Sequence, residues 1–254
     1  MKSEFVNMYI VGGAVRDIIM NKRVHDIDVA IEVSSYKELK ELIEDFDCTI
    51  YLEKEEFGII RARAGDKLYE RIRSVLGEKY KDENITRVFD FAITRSDGEY
   101  LDGRHPEKII PTDIHNDLLR RDFTINAMAI SLDTSLIIDD HNGISDIKRG
   151  VIKCVGDPID RFNEDALRII RALRFSITHN MKLDMHLEDI ISINGYRLLS
   201  EANVSNERIR EELMKMFSYN TLSSLKLLNK YNRVSEYIFE NTNIWLKPTM
   251  KDCC

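Results

Sequence analysis

The chain has 254 residues, 43% of them hydrophobic and 32% charged, which is enough to bury a sizeable core and is typical of a globular protein. Its formal net charge of −7 excludes a uniformly basic surface, so any nucleic-acid site must be a local basic patch. The sequence contains no apolar run of about 18 residues and no signal-peptide pattern, so we expect a cytoplasmic protein without a membrane partner.

The first half of the chain mixes short strand patterns with turns. Runs of β-branched and aromatic residues predict strands in MYIVGG, DIDVAIEV, FGIIRARA, RVFDFAIT and SLIIDD. A short helix is expected after Gly13 and a stronger one from Ser35 to Phe46, where apolar residues recur at helical spacing. The charged insertion from Ala64 to Val88 is long for a strand connection and predicts either a flexible flap or a short surface helix.

From about residue 163 onward the apolar pattern is helical throughout. One apolar face contains Leu167, Ile170 and Leu173, and a later one contains Ile209, Leu213 and Met216. Asn163 precedes two acids, Glu164 and Asp165, which is typical of the start of a helix. We therefore predict an α+β fold with a boundary near residues 148 to 162: a mixed-sheet head over residues 1–150 and an all-helical region over residues 151–254.

Two carboxylates lie at the start of one predicted strand. Asp26 and Asp28 are two residues apart, so strand alternation directs both side chains to the same face. Magnesium takes one or two carboxylates and completes its coordination with water and phosphates, so the pair could bind catalytic metal. The alternative is that both acids are simply solvated at a strand edge.

A glycine turn precedes these acids. Gly12 and Gly13 end an apolar run where a helix begins, which would offer backbone amides to a phosphate chain, and Arg16 could add a charged fork. Asp90, in another predicted strand, is a candidate third carboxylate, with an edge acid as the alternative. These groups are the ingredients of nucleotidyl transfer.

Five ordered segments resemble one known family. VGGAVRD followed by DID, then EYLDGRHP, LLRRDFTINAMAI, IIDDHNGISDIKRGVIKCVGDP and RFNEDALRIIRALRF resemble the class II tRNA nucleotidyltransferases (CCA-adding enzymes) and bacterial poly(A) polymerases. The resemblance covers roughly residues 9 to 217. It implies a nucleotidyltransferase head of the DNA polymerase β type, followed by a helical neck and a body that is shortened at the C-terminus.

The resemblance also implies roles for particular head residues. Asp26 and Asp28 would hold the catalytic Mg²⁺, Asp90 would be the third acid, and Gly12, Gly13 and Arg16 would face the triphosphate. Arg121 would contact a phosphate and Asp122 a ribose hydroxyl, in keeping with their donor and acceptor chemistry. The alternative for Arg121 and Asp122 is that they only pair with each other.

A further pair is expected to choose the nucleotide. A spacing of three on a helix would place Asp165 and Arg168 side by side, one accepting and one donating hydrogen bonds to a base, as the family does. The alternative is an ordinary i,i+3 salt bridge. Arg171, further along the helix, would meet phosphate or RNA backbone, or would simply be solvated.

The expected activity is addition of C and/or A nucleotides to the tRNA 3′ end from CTP and ATP with Mg²⁺, releasing pyrophosphate. The alternatives are poly(A) tailing of other RNAs, nucleotidyl transfer to a protein or small molecule, and an RNA-binding module without catalysis. Pairing with a second copy to form a homodimer is left open, with Trp245 as the residue that could anchor it.

Overall fold

The computed structural model describes residues 6–24, 26–77, 86–97, 109–202 and 204–241. The chain divides into two compact units, one ending at Gly156 and the other beginning at Asp157. The first unit therefore continues past residue 150, because Val155 packs in its core and donates its backbone N–H to the carbonyl of Asp122.

The head is built on a seven-stranded mixed sheet in the order β3-β4-β5-β2-β1-β8-β9. Its strands are β1 (Met8–Val11), β2 (Asp28–Ile31), β3 (Thr49–Lys54), β4 (Ile59–Arg63), β5 (Val88–Ile93), β8 (Ala129–Ser131) and β9 (Ile137–Ile138). A separate pair comprises β6 (Arg95–Asp97) and β7 (Ile109–Pro111), and β10 (Val151–Ile152) follows near the end of the unit. The five predicted strands are confirmed as β1, β2, β4, β5 and β9.

Five α-helices accompany the sheet in the described part of the head. They are α1 (Gly13–Ile19), α2 (Tyr36–Asp45), α3 (Asp66–Leu76), α4 (Ile114–Leu119) and α5 (Gly143–Arg149), with short 3₁₀ turns at Glu55–Phe57 and Thr124–Asn126. The helix predicted from Ser35 to Phe46 is confirmed as α2. Ser35 caps it by accepting a hydrogen bond from the backbone N–H of Glu38, and Phe46 is its C-terminal cap.

The two faces of the sheet are covered unequally. One face buries alternate residues of the central strands, such as Ile10, Val29 and Phe91, in the larger core shared with residues of α1, α2 and α3. The opposite face buries Tyr9 and Ala30 in a smaller core with residues of α4. On this second face Asp28, the first residue of β2, is exposed and Asp90 of β5 is half-buried.

The described part of the charged insertion forms a helix. In α3, four apolar residues at helical spacing are buried: Leu68, Tyr69, Ile72 and Leu76. Of the two alternatives, the helix is confirmed, and it is amphipathic: its apolar face packs in the main core of the head and its other face is exposed. Residues 78–85 of the insertion lie outside the described residues.

The second unit is helical, apart from the short strand β11 (Lys182–Leu183). Its helices are α6 (Pro158–Glu164), α7 (Leu167–Thr178), α8 (Met185–Ala202), α9 (Asn206–Tyr219), α10 (Thr221–Lys230) and α11 (Asn232–Glu236), followed by a π-helical turn at Tyr237–Asn241. The two apolar faces predicted from the sequence are buried, as expected: Leu167, Ile170, Leu173, Ile209, Leu213 and Met216. No helix among the described residues is long and apolar enough to cross a membrane.

The prediction that a helix starts at Asn163 is wrong. Asn163 and Glu164 lie at the end of α6, and Asp165 is the non-helical residue after it, with φ −155° and ψ 100°. The next helix begins at Leu167, whose backbone N–H donates to Oδ1 of Asp165 at 3.1 Å. The polar residues therefore mark a break between two helices, so helical spacing does not apply to Asp165.

A buried carboxylate joins α7 to α9. Glu212 is 4% exposed; its Oε2 accepts a hydrogen bond from Nε of Arg174, and its Oε1 lies 3.7 Å from Nη1 of Arg171. We predict that Glu212→Gln lowers the free energy of unfolding by about 3 kcal/mol, because it removes the buried carboxylate charge that Arg174 and Arg171 contact. Urea unfolding followed by circular dichroism measures this change.

Glu211→Gln is the matched control, since Glu211 lies beside Glu212 on α9 and is exposed. Its effect should stay within about 0.5 kcal/mol. Equal effects of the two substitutions would show that the buried pair does not stabilise the unit.

Candidate active site

Strand pairing brings two of the predicted acids together. In the parallel pair of β2 and β5, Asp28 lies directly opposite Asp90, and in the antiparallel pair of β1 and β2 it lies opposite Val11. Residues directly opposite each other in paired strands project to the same face of the sheet. Asp28 and Asp90 therefore share the open face.

Asp26 precedes β2 and is exposed, as is Asp28, whereas Ile27 between them is 3% exposed and belongs to the core. This alternation is consistent with the prediction that the two acids lie on the same side. The Asp26 carboxylate is also close enough to raise the pKa of Asp28. Three acids therefore approach one another at this end of the sheet.

An arginine from the neighbouring strand completes this row. Arg61 of β4 lies opposite Asp90 and donates two hydrogen bonds to it, Nε to Oδ1 at 2.7 Å and Nη2 to Oδ2 at 2.6 Å. Such a fork uses both carboxylate oxygens and is a strong form of ion pair. Asp90 is thus held by Arg61, while Asp26 and Asp28 are the exposed acids of the row.

The environment of Asp28 disfavours its negative charge. Desolvation by the surrounding protein raises the pKa of Asp28, and the carboxylates of Asp90 and Asp26 raise it further, whereas Arg121 and Arg61 oppose the rise. Clustered carboxylates with a raised pKa are typical of sites that receive a cation.

Two carboxylates suit a hard divalent cation such as Mg²⁺, which binds one or two of them and keeps water and phosphate oxygens as further ligands. Asp26 and Asp28 fit this donor set. Among the described residues no group of three or more acidic, histidine or cysteine side chains is placed to hold a metal ion, and Asp90 is bonded to Arg61. The geometry therefore supports Asp26 and Asp28 as candidate ligands, with Asp90 available only if Arg61 moves away.

The glycine turn follows directly after Val11, the neighbour of Asp28. Gly12 has φ +70°, a conformation that side chains rarely adopt, and a Cβ there would lie 3.0 Å from Nη1 of Arg121. Its backbone N–H donates to the carbonyl of Met128, and no side chain caps α1, which begins at Gly13. Glycine is therefore needed here to let the Arg121 guanidinium approach the turn.

Arg121 is anchored by an acid that the sequence analysis missed. Asp117 is 2% exposed; its Oδ2 accepts from Nε and Nη2 of Arg121 at 3.3 and 2.9 Å, and its Oδ1 accepts from Arg120 and from the backbone N–H of Arg95. Burial alone would raise the pKa of Asp117, but Arg121 and Arg120 outweigh it and hold the pKa below the usual value. One buried carboxylate thus orients two arginines.

A second missed residue, Asn126, links two predicted site residues. Its Oδ1 accepts from Nη1 of Arg16 at 2.7 Å, and its Nδ2 donates to Oδ1 of Asp122 at 3.2 Å. Arg16 and Asp122 are both 8% exposed, so neither side chain extends freely into solvent. The expected alternative, a pair of Arg121 with Asp122, gives way to bonds of Arg121 with Asp117 and of Asp122 with Asn126 and the N–H of Phe123.

The candidate base-reading residues are held by different partners within the helical unit. Asp165 accepts from Nη2 of Arg208 at 2.6 Å, and Arg168 donates to Oε2 of Glu164 at 2.5 Å and to the carbonyl of Arg161. Asp165 precedes α7, so the two residues do not share one helix as expected, but the carbonyl of Asp165 accepts the backbone N–H of Arg168 at 3.0 Å. That the pair reads a base stays a prediction.

Arg171 is only partly exposed, whereas the alternative interpretation expected a fully solvated side chain. Its guanidinium lies 5.4 Å from the ring centroid of Phe175 and 3.7 Å from Glu212. Its side chain is 31% exposed, so part of it remains accessible to a ligand.

The segment EYLDGRHP, residues 99 to 106, lies outside the described residues, as do His25 and Trp245. For Asp117, a signal was present in the sequence: it precedes Arg120 by three and Arg121 by four positions, the spacings of helical neighbours. For Arg61 none was available, since its pairing with Asp90 depends on the register of β4 against β5.

The buried ion pairs of Asp117 make a pH-dependent contribution to stability. Because the folded-state pKa of Asp117 lies below the value near 4 of an unfolded chain, this contribution is complete above about pH 4 and is lost as the pH falls through the folded-state pKa.

We predict that Asp117→Asn lowers the free energy of unfolding at pH 7 by about 3 kcal/mol and flattens its decline below pH 4.

Urea titrations from pH 7 to pH 2 measure both effects. Asp45→Asn, at an exposed position of α2, should keep the acid dependence of the original chain. An Asp117→Asn protein with the original slope would contradict the role given to this ion pair.

Residues 8–153 match the family described as the poly A polymerase head domain. The chain is 37% identical to the CCA-adding enzyme of Lactobacillus helveticus (strain DPC 4571) over 211 residues, which are 82% of this chain and 45% of that protein. It is 32% identical to the CCA-adding enzyme of Staphylococcus epidermidis over 229 residues, or 87% of this chain and 50% of that protein.

Solved structures show the same similarity. The Bacillus stearothermophilus CCA-adding enzyme in complex with CTP has a TM-score of 0.71 and 26% identity, over 90% of this chain and 49% of that one. A tRNA nucleotidyltransferase complexed with a primer tRNA and an incoming ATP analogue has a TM-score of 0.68 and 30% identity, over 94% of this chain and 61% of that one. The mixed-sheet head and the helical region thus have the fold of these enzymes.

The chain spans about half the length of the curated relatives that it matches. The match to the head-domain family extends over more than half of the chain and includes the acids, the glycine turn, Arg121 and Asn126. The chain therefore belongs to the family of the poly A polymerase head domain.

Proposed function

We propose that this protein is a tRNA nucleotidyltransferase that adds C and/or A nucleotides to the tRNA 3′ end from CTP or ATP with Mg²⁺, releasing pyrophosphate. The observation that carries the proposal is the row of Asp26, Asp28 and Asp90 beside the glycine turn, in a head whose relatives are CCA-adding enzymes. Such an enzyme would meet its substrates in the cytoplasm.

The acids would supply the site for metal. Asp26 and Asp28 would hold Mg²⁺, which when bound lowers the barrier to attack by a hydroxyl and stabilises the leaving pyrophosphate. Asp28 is suited to this because desolvation and two neighbouring acids disfavour its free charge. Asp90 would join them once its fork with Arg61 opens.

Basic groups beside the acids would bind the triphosphate. Arg121 interacts electrostatically with Asp28 and lies against Gly12, so its guanidinium would contact a phosphate held over the turn. Gly12 and Gly13 would let the phosphates approach the backbone closely. Arg16 would contribute positive charge from its bond with Asn126.

Asp122 would read the ribose. Its Oδ1 is engaged by Asn126 and by the N–H of Phe123, which fix the orientation of the carboxylate. A carboxylate held in this way can accept a hydrogen bond from a sugar hydroxyl.

Base selection would fall to the helical unit. Cytosine and adenine both carry an exocyclic amino group where uracil and guanine carry a carbonyl oxygen, so a carboxylate acceptor such as Asp165 would favour CTP and ATP. Arg168 would donate to the neighbouring ring nitrogen, and Arg171 would contact phosphate or RNA backbone. Because Asp165 and Arg168 are anchored separately, each would offer its hydrogen-bonding group from a fixed position.

The first test is incorporation of labelled CTP or ATP into tRNA transcripts ending before CCA, after C and after CC, beside a non-tRNA oligonucleotide. Addition of defined length to tRNA supports the proposal, and ragged tails on every RNA support a poly(A) polymerase instead. Label that survives RNase treatment of the acceptor would indicate transfer to a protein or small molecule. No incorporation would support an RNA-binding module without catalysis.

Asp28→Asn tests the metal site. We predict that it lowers the rate of incorporation at least about a hundredfold, because the site loses one of its two exposed carboxylates, while thermal stability is kept. The matched control is Glu41→Gln, at an acid of α2 that is 60% exposed and pairs only weakly with Lys37. Full activity of Asp28→Asn would exclude the proposed role.

Arg61→Gln tests the third acid. Without its guanidinium partner, Asp90 becomes available as a ligand, so we expect the Mg²⁺ concentration for half-maximal activity to fall by about threefold or more. Arg63→Gln, on the same face of β4 and exposed, is the control and should leave this concentration unchanged. An unchanged requirement in Arg61→Gln would indicate that Asp90 does not bind metal.

A further inference from the structure

The row of paired residues that holds the acids continues to the edge of the sheet. Asp28 lies opposite Asp90, and Asp90 lies opposite Arg61. Arg61 in turn lies opposite Leu52 of β3, the edge strand, where a shift in register brings Leu52 rather than Tyr51 into the row. Because residues directly opposite each other project to the same face, Leu52 lies on the face of the candidate metal ligands.

A hollow of about 140 Å³ lies at this end of the row. Its lining residues come from the three outer strands of the sheet and are Leu52, Lys54, Ile59, Arg61 and Asp90. Leu52 is exposed and Ile59 is half-buried, so the hollow presents apolar surface to solvent. A cavity of about 150 Å³ with apolar walls holds one benzene ring, so this hollow has room for one flat ring.

Lys54 gives the hollow a positive charge that no other side chain engages. Its side chain is exposed, and its ammonium forms no hydrogen bond or ion pair with another residue in the described part of the chain. The other cation of the lining, Arg61, is bonded to Asp90. The acids nearest to Lys54 in the sequence do not line the hollow: Glu53, Glu55 and Glu56. The hollow therefore combines apolar surface with one available cation.

The hollow and the glycine turn lie on opposite flanks of the acids. On one flank β1 carries Val11 and the glycine turn, with Arg121 against Gly12. On the other flank β5, β4 and β3 carry Asp90 and the hollow. In nucleotidyl transfer the attacking hydroxyl and the leaving pyrophosphate lie roughly in line, on opposite sides of the phosphorus. With the triphosphate over the glycine turn, the attacking hydroxyl arrives from the flank of the hollow.

We propose that this hollow is the subsite for the 3′-terminal nucleotide of the acceptor RNA. The apolar surface of Leu52 and Ile59 packs against the face of its base, and the Lys54 ammonium contacts its phosphate. Neither contact reads the edge of a base, so the subsite accepts different terminal nucleotides. Stepwise addition requires this tolerance, because each added nucleotide becomes the next acceptor. The inference rests on the proposed function and names where the acceptor binds.

The first test measures KM for a tRNA transcript ending before CCA and, separately, KM for CTP. Lys54→Ala should raise KM for the transcript about fivefold or more and leave KM for CTP unchanged, because one phosphate contact is lost. Leu52→Ala should raise KM for the transcript about threefold, because apolar contact with the base is lost. The matched controls are Lys37→Ala and Leu136→Ala, at an exposed lysine of α2 and an exposed leucine immediately before β9, and they should leave both constants unchanged.

The salt dependence of RNA binding separates a phosphate contact from a general change in shape. The affinity for a labelled transcript is measured by fluorescence anisotropy without nucleotide, over a series of salt concentrations. Lys54→Ala should reduce the slope of log affinity against log salt by about 0.7, the contribution of one phosphate contact to a single strand. Leu52→Ala should weaken binding and keep the original slope, because it removes no charge.

A rise in KM for CTP, or an unchanged KM for the transcript in both Lys54→Ala and Leu52→Ala, would overturn the inference while leaving the proposed function intact. Equal losses in these variants and in their controls would overturn it as well. If the original chain adds no nucleotide to any transcript, the proposed function fails and the inference fails with it.

Discussion

The parallel pairing of β2 with β5 is the constraint on which the candidate active site depends. It holds Asp28 and Asp90 directly opposite each other, an arrangement that like charges disfavour and that the backbone hydrogen bonds of the sheet impose. The surrounding charges compensate for this repulsion: Arg61 bonds to Asp90, and Arg121 opposes the rise in the pKa of Asp28. A site of this kind favours cations, which explains why its chemistry suits a divalent metal.

The same strand register also positions the basic groups and the glycine turn of the site. Val11 lies opposite Asp28 on one side and opposite Ala129 on the other, so the glycine turn after β1 and the segment leading into β8 meet at one end of the sheet. In that segment Asn126 bonds to both Arg16 and Asp122, residues that are distant in sequence. One amide thus bonds to both a cationic and an anionic side chain of the site.

In the helical unit, charged side chains are fixed by partners rather than left to solvent. Glu212 gathers Arg174 and Arg171, and Asp165 is held by Arg208. Buried ion pairs add little net stability compared with apolar packing, but they restrict geometry, because a misplaced buried charge is costly. The break between α6 and α7 gains a defined conformation in this way.

The sequence by itself determined the sheet-and-helix plan, five strands of the head, the helix α2, the buried faces of α7 and α9, and the shared face of Asp26 and Asp28, because all of these follow from local periodicity. The tertiary structure decided which groups bond. The pairing of Arg61 with Asp90 depends on strand register, and that of Arg208 with Asp165 on helix packing, and neither leaves a local pattern. The helix break at Asp165 was missed for the same reason: Asn163 and Glu164 end α6, Asp165 leads into α7, and only the folded backbone shows that the two helices are separate.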